Sequence, residues 1–189
     1  MSMSFRLITH KDIPAYQALL HSAYQTTTQL GIHFAAATVT QSQIADHINS
    51  NAVYLLEKEG DLLSTLSIRF PWGNNPGPYG LPHLGWFATA PQYKGKGYGN
   101  TLWNFVEQQI LINQLKLPAV TLGTAANHPW LAQTYINRGY KKIGEANLTL
   151  DHTTLYFEKI LNHKNYTEWK KGVINNEKNK QVTVRSFIN

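Results

Sequence analysis

Three glycines at alternate positions, Gly95, Gly97 and Gly99, close the segment from Thr89 to Gly99 (TAPQYKGKGYG), with Lys94 and Lys96 set among them. An alternating apolar run precedes this segment and a helical period follows it, so it is a strand-to-helix turn. Glycines let the backbone approach a ligand, and a helix starting near Gly97 leaves unpaired N–H groups at the positive end of a dipole. Such a turn suits an anion, phosphate above all, and the two lysines add full charge. The spacing excludes two common phosphate binders. No lysine of the turn is followed by Ser or Thr, as a Walker loop requires, and Asn100 stands where the dinucleotide fingerprint needs its third glycine. A glycine-rich connection that binds nothing is the alternative.

The elements that must hold this turn follow from period and punctuation. Phe5, Leu7 and Thr9 alternate in a first strand, and Asp12 and Pro14 open a helix to about Tyr24. The charge-free stretch Gln25 to Thr40 reads as a loop before a second helix, Gln41 to Asn49. Ala52 to Lys58 and Leu62 to Phe70 form a hairpin around Glu59, Gly60 and Asp61. Pro71 to Pro82, rich in Pro and Gly, is a loop, and His83 to Thr89 is the strand entering the glycine turn. A helix from Tyr98 to about Gln114 buries Leu102, Phe105, Val106, Gln109 and Ile110. Ala119 to Gly123 is a strand, Pro129 to Arg138 a helix stopped by Gly139, and Tyr140 to Glu145 and Thr153 to Ile160 are closing strands.

Composition narrows the class. The 189 residues suffice for one well-buried domain, and the absence of cysteine excludes disulfides, thiolate metal sites and a cysteine nucleophile. No leader-like or membrane-spanning run occurs, which is the expectation for a cytoplasmic protein without a membrane partner. The net charge of +6 is concentrated from Lys159 onward, where seven basic and two acidic residues stand, so the rest of the chain is nearly neutral. Residues 1–160 read as the domain and 161–189 as a polar, basic extension, either disordered or an appended helix and strand, with Val182 to Ile188 as its apolar run.

Gln92, Gly95 and Gly97, in the order Q-x-x-G-x-G, resemble motif A of the GNAT N-acetyltransferase superfamily. A second resemblance follows the apolar run Leu117 to Leu122: Asn127, then Tyr135, Gly139 and Tyr140, similar to the family's strand-Asn-helix-Tyr-x-x-x-Gly-aromatic pattern. The resemblance covers roughly the first 160 residues. It implies an α/β (α+β) fold with a mixed sheet of six to seven strands flanked by about four helices. It also implies acetyl transfer from acetyl-CoA to a primary amine of a small molecule or peptide, in a ternary complex and with no metal.

On that resemblance, Phe87, Ala88 and Thr89 dock the pantetheine arm through their main chain, and Phe87 or Ala88 offers an N–H to the thioester oxygen. Thr89 stands where the family usually has an aliphatic residue. The pyrophosphate falls to Gln92, Lys94, Gly95, Lys96, Gly97, Tyr98 and Gly99, with each lysine equally readable as a solvated charge. Asn127 contacts the cofactor or caps the next helix. Tyr135 protonates the departing thiolate or is a packing tyrosine. His83, with Gly85, Phe87 and Thr89 on its face by alternation, is the candidate base or water relay, or a hydrogen-bonded structural residue; His128 is a further candidate base.

The acceptor site is expected between Tyr24 to Phe34 and Trp72 to Pro82. No carboxylate occurs between Gln25 and Thr40, which argues against polyamines and aminoglycosides and leaves apolar, aromatic or peptide amines. Two other classes stand beside the enzyme: an acyl-CoA sensor of the same fold, and a nucleic-acid-associated protein using the basic tail. Few aromatics accompany the tail's lysines, which gives base stacking little support. A homodimer is compatible with the sequence.

Overall fold

The fold follows from two stripes of apolar side chains on a central sheet, each covered by its own helices. The computed structural model describes residues 3–148 and 152–186, with side chains through 176. Seven strands, β1 (Met3–Leu7), β2 (Ala52–Lys58), β3 (Asp61–Arg69), β4 (His83–Thr89), β5 (Ala119–Ala125), β6 (Lys141–Ala146) and β7 (Thr154–Ile160), form one sheet in the order β1-β2-β3-β4-β5-β7-β6. Only β4 and β5 pair in parallel; every other neighbour is antiparallel. The β2–β3 turn places Glu59 and Gly60 at positive φ (55° and 89°), the geometry that matches strand twist in a tight hairpin.

Helices α1 (Ile13–Gln29) and α2 (Gln41–Ser50) cover one face over β2 to β4, where Tyr16, Leu20 and Ile44 meet Val53, Leu55 and Ala88. Helix α3 (Tyr98–Phe105), continued by π-helical turns over Val106–Gln114, covers the other face together with α4 (Leu131–Asn137). There Trp103, Val106, Leu111 and Tyr135 pack on Leu66, Ile68, Leu84, Leu122 and Phe157. The seven-stranded mixed sheet accords with the fold the sequence implies. A fifth helix, α5 (His163–Ser186), is formed by the extension; Val182 to Ser186 lie within it, so the strand option there is not realised, and 187–189 lie outside the described residues, as do 149–151 of the domain reading.

Four local expectations are corrected. Helix α1 runs past Tyr24 to Gln29, anchored by Tyr24, which donates to Phe87 O (3.2 Å), and by the buried Thr27, while Thr26 Oγ1 and Thr27 Oγ1 donate back to Ala23 O (3.2 Å) and Tyr24 O (2.7 Å). The segment before α2 is not all loop either, since Ala35–Ala37 make a turn of 3-10 helix. Gln109 is exposed, and the buried face of the third helix instead adds Trp103, Glu107 and Leu111, with Glu107 held by Trp103 Nε1 (3.3 Å) and Lys159 Nζ. Finally, α4 begins at Leu131 with Trp130 as its N-cap, so Asn127 does not cap it.

Candidate active site

The sheet is open at its centre. Strands β4 and β5 are joined by only two residue pairs, His83↔Thr121 and Leu84↔Leu122. Beyond these, Gly85 to Thr89 and Gly123 to Ala125 diverge, leaving two facing strand edges in a wedge. The divergence coincides with a bulge: Thr65 stands opposite Ala88 but Ser67 opposite Gly85, so β4 carries one extra residue, and Trp86 takes φ of 45°. The bulge overturns one expectation. Phe87 and Thr89 do not share the face of His83. Phe87 packs on Trp103 (ring centroids 4.9 Å) and Thr89 faces Gly99, both on the α3 side, whereas His83, Gly85, Trp86 and Ala88 look toward α1 and α2.

The wedge points at the glycine turn. Gly95 and Gly97 have φ of 76° and 82°, a backbone that only glycine adopts freely, and a Cβ built on either would meet nothing within 4 Å. Gly97 is the N-cap of α3, so the N–H groups of Tyr98, Gly99 and Asn100 lack intrahelical partners. Gly99 has a different reason to be glycine: a Cβ there would lie 2.8 Å from Thr89 Oγ1 and 3.0 Å from Phe87 Cζ, so it lets α3 sit tightly on β4. Gln92, Lys94 and Lys96 are exposed around the turn, with Lys96 Nζ 5.2 Å from the Tyr93 ring.

At the β5 side of the wedge, Thr124 Oγ1 and His128 Nδ1 are buried without hydrogen-bond partners, while Asn127 is exposed beside them. Buried polar atoms are costly when unpaired, so both would gain from a polar partner entering the wedge. Tyr135 lies in the aromatic cluster of Trp103, Tyr140 and Phe157 at centroid distances of 5.7, 6.2 and 6.3 Å. Burial pushes its phenol up to about 12. Tyr24 approaches from the opposite layer, close enough for its ionisation to be opposed by Tyr135, and donates to Phe87 O (3.2 Å).

The mouth on the α1 side has an aromatic wall. Tyr24 meets Phe34 edge-on (5.7 Å), and Phe34 meets His152 in the same way (5.5 Å), so the segments before α2 and before β7 touch. An open pocket of about 300 Å³ between the end of α1 and residues 33–38 shares Phe34 with this wall.

His83 is 5% exposed, beneath the loop in which Gly77 abuts its ring. Its Nδ1 lies 2.9 Å from Thr121 Oγ1, which in turn donates to Pro82 O (3.3 Å). The hydroxyl proton being committed to the carbonyl, Nδ1–H donates to Thr121, and Nε2 keeps the lone pair. Burial, then the nearby Arg69 charge, push this imidazole down to about 3. A histidine in that state can pass a proton on but cannot hold one at neutral pH.

Three residues that sequence reasoning missed, His47, Ser67 and Arg69, stand on the same face. His47 of α2 has Nε2 2.6 Å from Ser67 Oγ, stacks on Trp86 (4.0 Å, 19°) and is pushed down to about 4 by burial and then by Arg69. Arg69 is half-buried opposite His83. The signal was the alternation Thr65, Ser67, Arg69 inside a strand otherwise fit for a core, a polar stripe in the middle of a sheet.

The two histidines make stability depend on pH in a defined sense. Unfolded, each takes up a proton near 6.5; folded, each resists protonation down to about 4 or 3. The unfolded state therefore binds more protons between those values, and their contribution is complete above about pH 6.5 and lost as pH falls through the window. The melting midpoint is expected to drop between about pH 6.5 and 4.5, with a shallower slope in His83→Gln; an equally steep slope in that variant would remove His83 as a source.

Comparison with known proteins agrees with this geometry. The Acetyltransferase (GNAT) family matches residues 17–144. A Bacillus subtilis (strain 168) S-(2-succino)cysteine N-acetyltransferase is 41% identical over 163 residues, 86% of this chain and 99% of its own length. An S-alkylcysteine N-acetyltransferase of the same organism is 42% identical over 138 residues, 72% of this chain and 78% of its own. Among solved structures, the ribosomal-protein-S18-alanine N-acetyltransferase of Escherichia coli has a TM-score of 0.65 at 13% identity, covering 85% of this chain and 95% of that one. The PaiA N-acetyltransferase of Thermoplasma acidophilum, solved with coenzyme A, has a TM-score of 0.63 at 13% identity and covers 85% and 99%. Opened sheet, glycine turn and relatives together identify the chain as a member of the GNAT acetyltransferase family and an N-acetyltransferase that uses acetyl-CoA.

Proposed function

We propose that this cytoplasmic enzyme acetylates the amino group of a cysteine derivative substituted at sulfur. The observation that carries the reading is the pair of relatives above 40% identity, both named for S-substituted cysteines. The site is compatible with such an acceptor. An aromatic wall of Tyr24, Phe34 and His152 suits a thioether, which gains from contact with ring edges. The described mouth offers no carboxylate from residues 25–40 to hold a polycation.

In this reading residues 1–160 form the catalytic domain and α5 is an appendage to it. The main chain of Phe87, Ala88 and Thr89 lines one edge of the wedge and pairs with the amides of the pantetheine arm, while Asn127 meets the arm from the β5 side. The N–H groups of Tyr98 and Gly99, with Gln92, Lys94, Gly95, Lys96 and Gly97, take the pyrophosphate. An N–H of Phe87 or Ala88 stabilises the oxyanion as the amine nitrogen attacks the thioester carbon. The C–S bond then breaks, and the proton released by the nitrogen balances the thiolate, with Tyr135 donating a hydrogen bond to the sulfur. The ammonium gives its proton to water in the wedge, and His83, farther along β4 opposite Arg69 with its Nδ1–H held by Thr121, orients that water by accepting a hydrogen bond at Nε2.

The test is thiol release from acetyl-CoA by the purified chain with S-methylcysteine, S-(2-succino)cysteine, spermidine and a peptide amine in parallel. Turnover with the two cysteine derivatives at least about tenfold above the other amines, measured as kcat/KM, is expected. Turnover with spermidine or the peptide and none with either cysteine derivative would refute the acceptor class.

A further inference from the structure

We propose that Arg69 is a specificity determinant that binds a carboxylate carried on the sulfur substituent of the acceptor, so that S-(carboxyalkyl)cysteines are preferred over neutral S-alkylcysteines. This deepens the acceptor reading above and rests on it.

Arg69 is the exception among the arginines with described side chains. Arg6 is clamped between Asp12 (2.8 Å) and Glu57 (2.7 Å). Arg138 lies on the Trp103 ring (4.9 Å) and donates to Asn100 and Asn104. Among the described residues Arg69 has neither a carboxylate nor a hydrogen-bond acceptor, although it is half-buried. Among the described residues its surroundings supply no counter-charge. His83 stands opposite it on β4, His47 reaches the neighbouring Ser67, and both imidazoles are kept neutral in its presence. Tyr156, whose ring is 6.2 Å from that of His83, is the other titratable neighbour. A guanidinium withdrawn from water without a partner is unfavourable, and a carboxylate is the group whose geometry matches it in a bidentate pair.

Its place along the strand selects which carboxylate. Arg69 is four residues from Thr65, which stands opposite Ala88, where the acetyl group would be held. That span is about 13 Å at the rise of a β-strand. The α-carboxylate is one carbon from the reacting amine and stays near Ala88. Ser67 itself is covered by His47, but its strand partner Gly85 has open space where a Cβ would stand, and a carboxylate beyond the sulfur extends the molecule through that space toward Arg69.

The experiment compares Arg69→Met, which keeps the apolar stem, and Arg69→Lys with the natural chain on S-(2-succino)cysteine and S-methylcysteine at saturating acetyl-CoA. Arg69→Met is expected to lose about 30-fold in kcat/KM on S-(2-succino)cysteine, mostly through KM, and less than about threefold on S-methylcysteine, with Arg69→Lys recovering part of the loss. Equal losses on both acceptors, or no loss on either, would overturn the role of Arg69 while leaving the acceptor class standing. A natural chain inactive on both would sink the acceptor class and this proposal with it.

Discussion

Gly97→Asp is expected to bind acetyl-CoA roughly a hundredfold more weakly than the natural chain, a loss near 3 kcal/mol, while remaining folded. Gly97 is the N-cap of α3 at φ of 82°, and nothing stands within 4 Å of the Cβ it lacks. A side chain there meets no neighbour. The left-handed backbone costs about 1–2 kcal/mol for most residues, less for Asp and Asn, and a carboxylate is a favourable cap for the N–H groups behind it. What the carboxylate does is occupy and repel: it satisfies the donors meant for the pyrophosphate and sets a negative charge beside it. Gly97→Asn separates the two effects, because it brings the same backbone demand and a similar cap without the charge, and should lose about tenfold or less. Calorimetric titration with acetyl-CoA measures both. Unchanged affinity in a folded Gly97→Asp chain would move the phosphate site away from this turn.

Tyr135→Phe is expected to lower kcat about a hundredfold and to leave KM for acetyl-CoA within about threefold. The ring contacts with Trp103, Tyr140 and Phe157 survive the change, so only the hydroxyl is tested. Burial alters the role that the sequence suggested for it. A phenol at its ordinary value could give its proton to a thiolate at small cost, but one pushed up to about 12 by burial gives it up far less readily. Tyr135 is therefore assigned to hold the thiolate by a hydrogen bond and to stay protonated throughout, and the kcat profile of the natural chain should show no break near pH 10 from its loss. Unchanged kcat in Tyr135→Phe would return it to the packing core.

How much of this was legible depended on whether a feature leaves a trace in residue type. The glycine turn did, because positive φ at Gly95 and Gly97 and close approach at Gly99 each demand glycine. The strands themselves did as well, through period-two runs and the Glu59-Gly60 hairpin, whereas the insertion of β7 between β5 and β6 left no such trace. The bulge at Trp86 left none: one extra residue in β4 changes no composition, yet it sends Phe87 and Thr89 to the opposite face from the one simple alternation assigns. The extension of α1 was hidden because threonine has low helix propensity, and what holds the last turns, Tyr24 on Phe87 O and the burial of Thr27, are tertiary contacts. Arg69 was visible as a residue but not as a candidate, since its lack of a partner among the described residues is a property of the assembled neighbours.

The two-pair junction of β4 and β5 also works as a pivot. Strands β1 to β4 are rigidly paired on one side and β5 to β7 on the other, and the vertex is held by His83, Leu84, Thr121 and Leu122, all buried. A small rotation there is magnified with distance along the strands, so a methylene gained or lost at Leu84 or Leu122 shifts the far ends of the wedge more than the residues that touch it. Reaction geometry tolerates little such displacement. The width of the catalytic opening is thus set from the core, by Leu84 and Leu122, whose side chains pack away from both substrates.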